Sequence, residues 1–207
     1  CMSYNIDEGL GDNHYNCPIV AYYPQNILNN VGKIKEINFI SDFMALDNKD
    51  KFKEHIIFIL KKYYPKLKKK DILTAVDLAY DEYNNYLKDI RNKGMEYIND
   101  AREKKQEIIV LAGRPYHQDP QVNHGIDKLI SDMGATVVSE EAISNLNEKF
   151  PVGVLNQWTY HSRLYSAAKY CIHNKDMNLV QLVSFGCGLD AITTDECKSI
   201  LERNNKI

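Results

Sequence analysis

The sequence lacks the features that would take it to nucleic acid, into a membrane or out of the cell. Its 26 Lys and Arg are offset by 28 Asp and Glu, and a net charge of -2 leaves no basic surplus for a phosphate backbone. No apolar run reaches the roughly 18 to 20 residues that span a bilayer. The start, Cys1-Met2-Ser3-Tyr4-Asn5, has no basic region followed by an apolar stretch, which is what an export signal needs. Five cysteines is an odd number, and their spacing matches neither a compact disulfide framework nor a C-x-x-C metal site. Ten glycines and six prolines in 207 residues are too few for a low-complexity or collagenous chain. No G-x-x-x-x-G-K-[ST], G-x-G-x-x-G or G-x-S-x-G motif occurs, so ATP hydrolysis has no seat in this chain. The expectation is a cytoplasmic protein with no membrane or nucleic-acid partner and no disulfides. A hydrophobic content of 44% suffices for a buried core. Because the chain opens on a cysteine in a turn-rich stretch, it reads as a piece of a longer protein.

Charge and hydrophobic period divide what is present into three parts. Residues 1 to 48 carry 2 basic and 6 acidic side chains, residues 49 to 105 carry 15 and 10, and residues 106 to 207 carry 9 and 12. The predicted organisation is a loop-rich end of a first α/β lobe over 1–46, a helical excursion over 47–105 and a second α/β lobe over 106–207. In the first part a loop precedes a short helix opened by Pro24 and ended by Gly32, and Glu36 to Phe43 alternates like a strand. In the second, Phe52 to Tyr63 has helical spacing up to Pro65, and Asp71 to Ala101 keeps a 3-to-4 period for about nine turns, roughly 50 Å of helix. The third part reads as a strand over Ile108 to Ala112, a helix from Pro120 to Met133, a strand over Ala135 to Ser139, a helix from Tyr160 to His173, a strand over Leu179 to Phe185 and a helix from Thr194 to Arg203. Alternating strands and helices predict an α/β fold of parallel-sheet, Rossmann-like lobes, with ligand sites beyond the carboxyl ends of the strands.

Two loops at predicted strand ends carry the chemistry, Gly113-Arg114-Pro115-Tyr116-His117-Gln118-Asp119 and Gly186-Cys187-Gly188-Leu189-Asp190, and both are expected on one edge of the sheet. A cysteine between glycines lets a metal or cluster approach the backbone, and it also suits a reactive thiolate or a turn that merely packs. Cys17 precedes Pro18, which fixes the backbone beside a thiolate. Cys1, Cys17 and Cys187 all fall in irregular segments, and three thiolates would leave one iron of a cubane open. Zinc is the rival metal, with His14 as a fourth ligand. Cys171 and Cys197 fall on apolar helix faces and read as core residues. Asn156-Gln157-Trp158-Thr159-Tyr160-His161-Ser162-Arg163 forms a third polar-aromatic cluster, in which Thr159 can cap a helix and His161 can orient substrate. Arg114 and His117 suit a thioester oxygen or a reduced cluster, or Arg114 simply braces its loop through Asp119 or Asp190.

Five segments resemble one family: Cys1 to Asn5, Asn16-Cys17-Pro18-Ile19-Val20-Ala21-Tyr22-Tyr23-Pro24, Leu111 to His117, Asn156 to Arg163 and Phe185 to Asp190. They look like the CoA-substrate-specific enzyme activases of anaerobic bacteria, relatives of the 2-hydroxyglutaryl-CoA dehydratase activator. In those proteins an ATPase activator region is joined to a region similar to the dehydratase subunits, and this chain looks like the second region. The resemblance implies two Rossmann-like lobes and a 4Fe-4S cluster on Cys1, Cys17 and Cys187, with Arg114, His117 and His161 as neighbouring catalytic candidates. It further implies an ATPase activator domain or subunit as partner, an acyl-CoA substrate and low-potential electron transfer within a dehydratase/activase-type system. The reading kept beside it is a non-redox module that binds a CoA thioester or a partner and whose cysteines are structural.

Overall fold

The computed structural model describes residues 2–206 and is a mixed α/β protein with parallel sheets and one long helix, the class that the sequence pattern predicts. Its elements are β1 (Met2–Asn5), α1 (Pro18–Asn30), β2 (Asp42–Ala45), α2 (Lys49–Tyr63), α3 (Lys69–Lys104), β3 (Ile108–Ala112), α4 (Ile126–Asp132), β4 (Thr136–Ser139), α5 (Thr159–His173), β5 (Met177–Gln181) and α6 (Gly188–Glu202). β1 and β2 pair in parallel, as do β4, β3 and β5 in that order. β3 is thus the central strand of its sheet. Its continuous apolar run, Ile108-Ile109-Val110-Leu111-Ala112, is the pattern of a strand covered on both faces.

Both core clusters are built from the end of α3 and the elements that follow it. One cluster joins Ile98 and Ala101 of α3 to Ile108 and Val110 of β3, Val138 of β4, Ala167 and Cys171 of α5 and Met177 of β5. A second joins Ala112, Leu164, Tyr165 and Ala168 to Cys197 and Ile200 of α6. The long helix comes so close to the turn after β4 that a Cβ on Gly94 would overlap that of Ala142, so only glycine fits there. Among the described residues no helix is long and apolar enough to cross a membrane.

Several element boundaries differ from the sequence expectation. α1 begins at Pro18 and carries Pro24 inside it. Pro24 has no N–H to give the preceding turn, and in that turn the Ser3 hydroxyl donates to the Ala21 carbonyl at 2.5 Å. β1 itself stands where a loop was expected. The second strand is Asp42–Ala45, not 36–43: Gly32–Glu36 is a short 3-10 turn and Ile37 is exposed. The helix expected from Pro120 begins at Ile126, after turns in which Val122 and Asn123 both donate to the Asp119 carbonyl. β5 ends at Gln181, although Leu182 N–H still reaches Ala112 O at 2.7 Å, and Val183 and Phe185 carry the apolar run out of the sheet into solvent. The last helix begins at Gly188, not Thr194, because its buried face is built from Asp190, Thr193 and Glu196 as well as Cys197 and Ile200, and polar residues hide the period.

Candidate functional site

Parallel pairing of β3 with β5 delivers both glycine-containing loops to the same carboxyl edge, and they touch. The Arg114 guanidinium donates through Nε (3.0 Å) and Nη2 (2.6 Å) to Oδ1 of Asp190, and Nη2 also lies 3.2 Å from the Cys187 sulfur. The other Asp190 oxygen accepts the Ser184 backbone N–H at 2.7 Å. Asp190 stands in the first turn of α6, where the helix dipole favours a carboxylate, and Cys187 is the residue that caps that helix. Arg114 and Asp190 are both buried, with 6% and 3% of their surfaces exposed. Burial works against the guanidinium charge, but the bond and charge of Asp190 outweigh it and raise the pKa of Arg114. Asp119, the other partner considered, accepts instead from the Gln121 N–H in its own turn.

His117 folds back on its loop. Arg114 N–H donates to His117 Nδ1 at 2.9 Å, which leaves the proton of a neutral ring on Nε2, 3.5 Å from the Ser184 hydroxyl. Tyr116 and Ser184 share a hydroxyl contact of 2.5 Å. Burial lowers the His117 pKa, and Arg114 adds to the effect against Asp190. A Cβ on Gly113 would sit 2.6 Å from His117 Nδ1, so glycine at this strand end makes room for the imidazole.

His161, on α5, is 3% exposed, and neither ring nitrogen has a hydrogen-bond partner among the described residues. Burial first and the Arg114 charge second push its pKa down to about 4, against a smaller opposing effect of Asp190, so it faces this site as a neutral ring. The Trp158 ring lies 6.5 Å from it, edge-on. Trp158 pairs in turn with Tyr15, two residues before Cys17, and Cys17 caps α1. Cys17 and Cys187 are free and half-buried, each at the start of a helix. Cys1 lies outside the described residues. Among those described, no three His, Cys, Asp or Glu side chains are grouped to hold a metal ion. Cys171 and Cys197 are core residues, and burial pushes both thiols up, Cys171 to about 12. His14 lies between Asp7 (3.8 Å) and Asp47 (3.3 Å).

The Asn156–Arg163 segment is chiefly a clasp between the start of the chain and α5. Asn156 O accepts Asp12 N–H, Asn156 Nδ2 donates to Leu10 O, and Ser162 donates to Asn156 Oδ1. Thr159 does not cap α5. Its hydroxyl donates to Ile6 O at 2.8 Å, and Trp158 is the capping residue. Arg163 binds both oxygens of Glu8 and lies 3.2 Å from Glu141.

Sequence reasoning missed Glu140. It follows β4 directly, so it too stands at the carboxyl edge, and Gln118 Nε2 donates to it at 2.9 Å. Burial pushes its pKa up to about 8, with Arg163 opposing, and keeps the carboxyl protonated near neutrality. An acidic pair immediately after a strand was the available signal.

Residues 1–143, over two thirds of the chain, match the family described as the CoA enzyme activase uncharacterised domain. The chain belongs to that family. The match takes in Cys17, Arg114, His117 and Glu140, and it ends before α5 and α6, so His161, Cys187 and Asp190 lie beyond it. No curated protein and no solved structure matches the chain.

Proposed function

We propose that this activase-family chain is the iron-sulfur module of a system that activates a CoA enzyme, with a 4Fe-4S cluster held by Cys1, Cys17 and Cys187. The observation that carries the reading is the carboxyl-edge site, where a half-buried free thiol accepts from a buried arginine beside a buried histidine with two orphaned nitrogens. Buried polar groups are rarely left without partners, so a bound group at this edge accounts for His161. The donors fit the chemistry of a cluster: the two described thiols are free, half-buried and set on backbone that opens a helix. When bound, the cluster would take up and release one electron at low potential.

The chain's own residues supply the surroundings. Arg114 brings a fixed positive charge to the sulfur, and Asp190 holds its fork so that Nη2 stays directed there. His117 and His161, both kept neutral by burial, give hydrogen bonds to a ligand oxygen without adding charge. Val183 and Phe185, both exposed, rim the same loop and offer an apolar contact to the CoA enzyme or its acyl thioester. With no phosphate loop in this sequence, ATP is hydrolysed by an activator domain or subunit that passes the electron on.

Anaerobic loading of the chain with iron and sulfide tests the proposal. Iron and labile sulfide in a ratio near one are expected, lost in Cys17→Ala and in Cys187→Ala and retained in Cys171→Ala, with circular dichroism unchanged. Iron retained in full by a folded Cys187→Ala variant, or zinc alone in the purified protein, overturns it and favours the non-redox module.

A further inference from the structure

A second site, independent of the cysteines, lies between α3, the loop that follows β1 and the segment at 145–149. It is a cavity of about 810 Å³, within the size range of small-molecule sites. α3 presents one face to it, Tyr80, Tyr83, Asn84, Leu87 and Arg91, at spacings of three or four residues. The two ends of that face differ in charge. At one end the Tyr80 hydroxyl donates to Leu46 O at 2.9 Å, which sets Asp47 beside it, and Asp47 shares a single imidazole, His14, with Asp7. Two carboxylates with one histidine between them keep a net negative charge. Eleven residues along the helix, roughly 16 Å, Arg91 carries a guanidinium with no hydrogen bond or ion pair among the described residues. Side chains on a helix lean toward its N-terminus, so Arg91 reaches back over Leu87 and shortens the gap to roughly 10 Å. Between the ends the wall is apolar and aromatic, and Tyr83 brings a hydroxyl with no hydrogen-bond partner among the described residues. Glu8, Glu148 and Lys149 also line the cavity; the charges of Glu8 and Lys149 are spent on Arg163 and Asp12, and Glu148 adds a carboxylate with no ion pair among the described residues.

We propose that this cavity binds an elongated zwitterion, a molecule with an ammonium end for Asp7 and Asp47, an anionic end for Arg91 and an apolar middle of roughly 10 Å. Short peptides and ω-amino acids have this chemistry. Polyanions do not fit, because carboxylates outnumber cations on the lining.

The probe is 8-aminooctanoate, with octanoate and octylamine as single-charge controls, titrated calorimetrically into the chain. Saturable binding is expected for 8-aminooctanoate, at least tenfold tighter than for either control. Arg91→Gln should weaken 8-aminooctanoate and octanoate about tenfold and spare octylamine, and Asp47→Asn should weaken 8-aminooctanoate and octylamine and spare octanoate. Leu87→Trp, which fills the middle of the cavity, should abolish all three, and Ala79→Trp serves where Leu87→Trp fails to fold. No saturable binding at millimolar probe, binding that survives a folded cavity-filling variant, or octanoate as tight as 8-aminooctanoate overturns the proposal. None of these outcomes depends on iron content, so the result stands apart from the fate of the cluster.

Discussion

α1 and α5 are helices of similar length that do opposite things with their surfaces. α5 buries ten of its 15 residues, and most of those are small or polar: Thr159, Ser162, Ser166, Ala167 and Ala168 among them. α1 buries Pro24 alone and turns Ile19, Tyr22 and Tyr23 toward solvent. The more hydrophobic of the two is therefore the less buried. Small residues let α5 sit close against both neighbouring layers, and its polar atoms are absorbed by bonds to Ile6, Ser144 and Asn156. α1 packs against β1 and the turn at Gly32–Glu36 and leaves Ile19, Tyr22 and Tyr23 exposed. Stability in this chain is concentrated around α5, and the start of the chain is held mainly by the polar clasp.

The largest test of that contrast is the clasp's ion pair. Arg163 and Glu8 are each about 6% exposed at their side chains, with Glu141 close by, so Arg163→Met leaves two carboxylates without their cation. A loss of about 3–5 kcal/mol is expected from the urea midpoint. Arg102→Met, which breaks the half-exposed pair with Asp176, should cost under about 1 kcal/mol. Equal losses for the two would mean that the clasp is no tighter than the surface. Gly94→Ala comes next: its new methyl meets Ala142 at a packed crossing, and a loss of about 1–3 kcal/mol is expected in the same measurement.

The elements best read from sequence were those whose burial is apolar and regular. β3, β4, α2, α3 and α5 lie within a few residues of their expected bounds, because an apolar run or stripe marks each, even in α5, where polar residues are buried beside Leu164, Ala167, Ala168 and Cys171. The meeting of the Arg114 and Cys187 loops was legible as well, since parallel strands leave one edge for both. What escaped was burial carried by polar groups. Glu140, Asp190, Glu196 and Arg163 have 6% exposure or less, and of these only Asp190 had a partner, Arg114, expected from sequence. Their burial depends on partners more than twenty positions away, such as Gln118, Arg114, Gly153 and Glu8. β1 escaped because four residues give no period.

Two of those buried groups predict opposite slopes of stability with pH. Glu140 is raised to about 8 from an ordinary value of 4.5, so the folded chain holds a proton that the unfolded chain gives up. Its contribution is complete below pH 4.5 and is lost as pH rises toward 8. His161 is lowered to about 4 from 6.5, so the unfolded chain takes the proton first and stability is lost as pH falls from 6.5 toward 4. Each slope is at most about 1.4 kcal/mol per pH unit. They oppose each other between 4.5 and 6.5, and Glu140 acts alone above that. Glu140→Gln should abolish the decline between pH 6.5 and 8 and unmask the full His161 fall from 6.5 toward 4, measured as urea midpoints across pH. An unchanged decline in the variant would show that Glu140 is ionised in the folded chain.

The smallest effect belongs to α1. Tyr22 is 65% exposed and Ile19 69%, and neither lies in either core cluster, so Tyr22→Ser and Ile19→Ser remove little buried area. Each should shift stability by no more than about 0.5 kcal/mol. Ala168→Ser on α5 is a smaller chemical change at a fully buried position, and it places a hydroxyl in an apolar cluster at a cost of about 1–3 kcal/mol unless it finds a partner. The pair of results decides what the exposed tyrosines are for. Loss of solubility or of melting temperature in Tyr22→Ser would mean that α1 is covered in the free chain. No effect there, with a clear loss at Ala168, would mean that the apolar side chains of α1 add nothing to this chain's own fold.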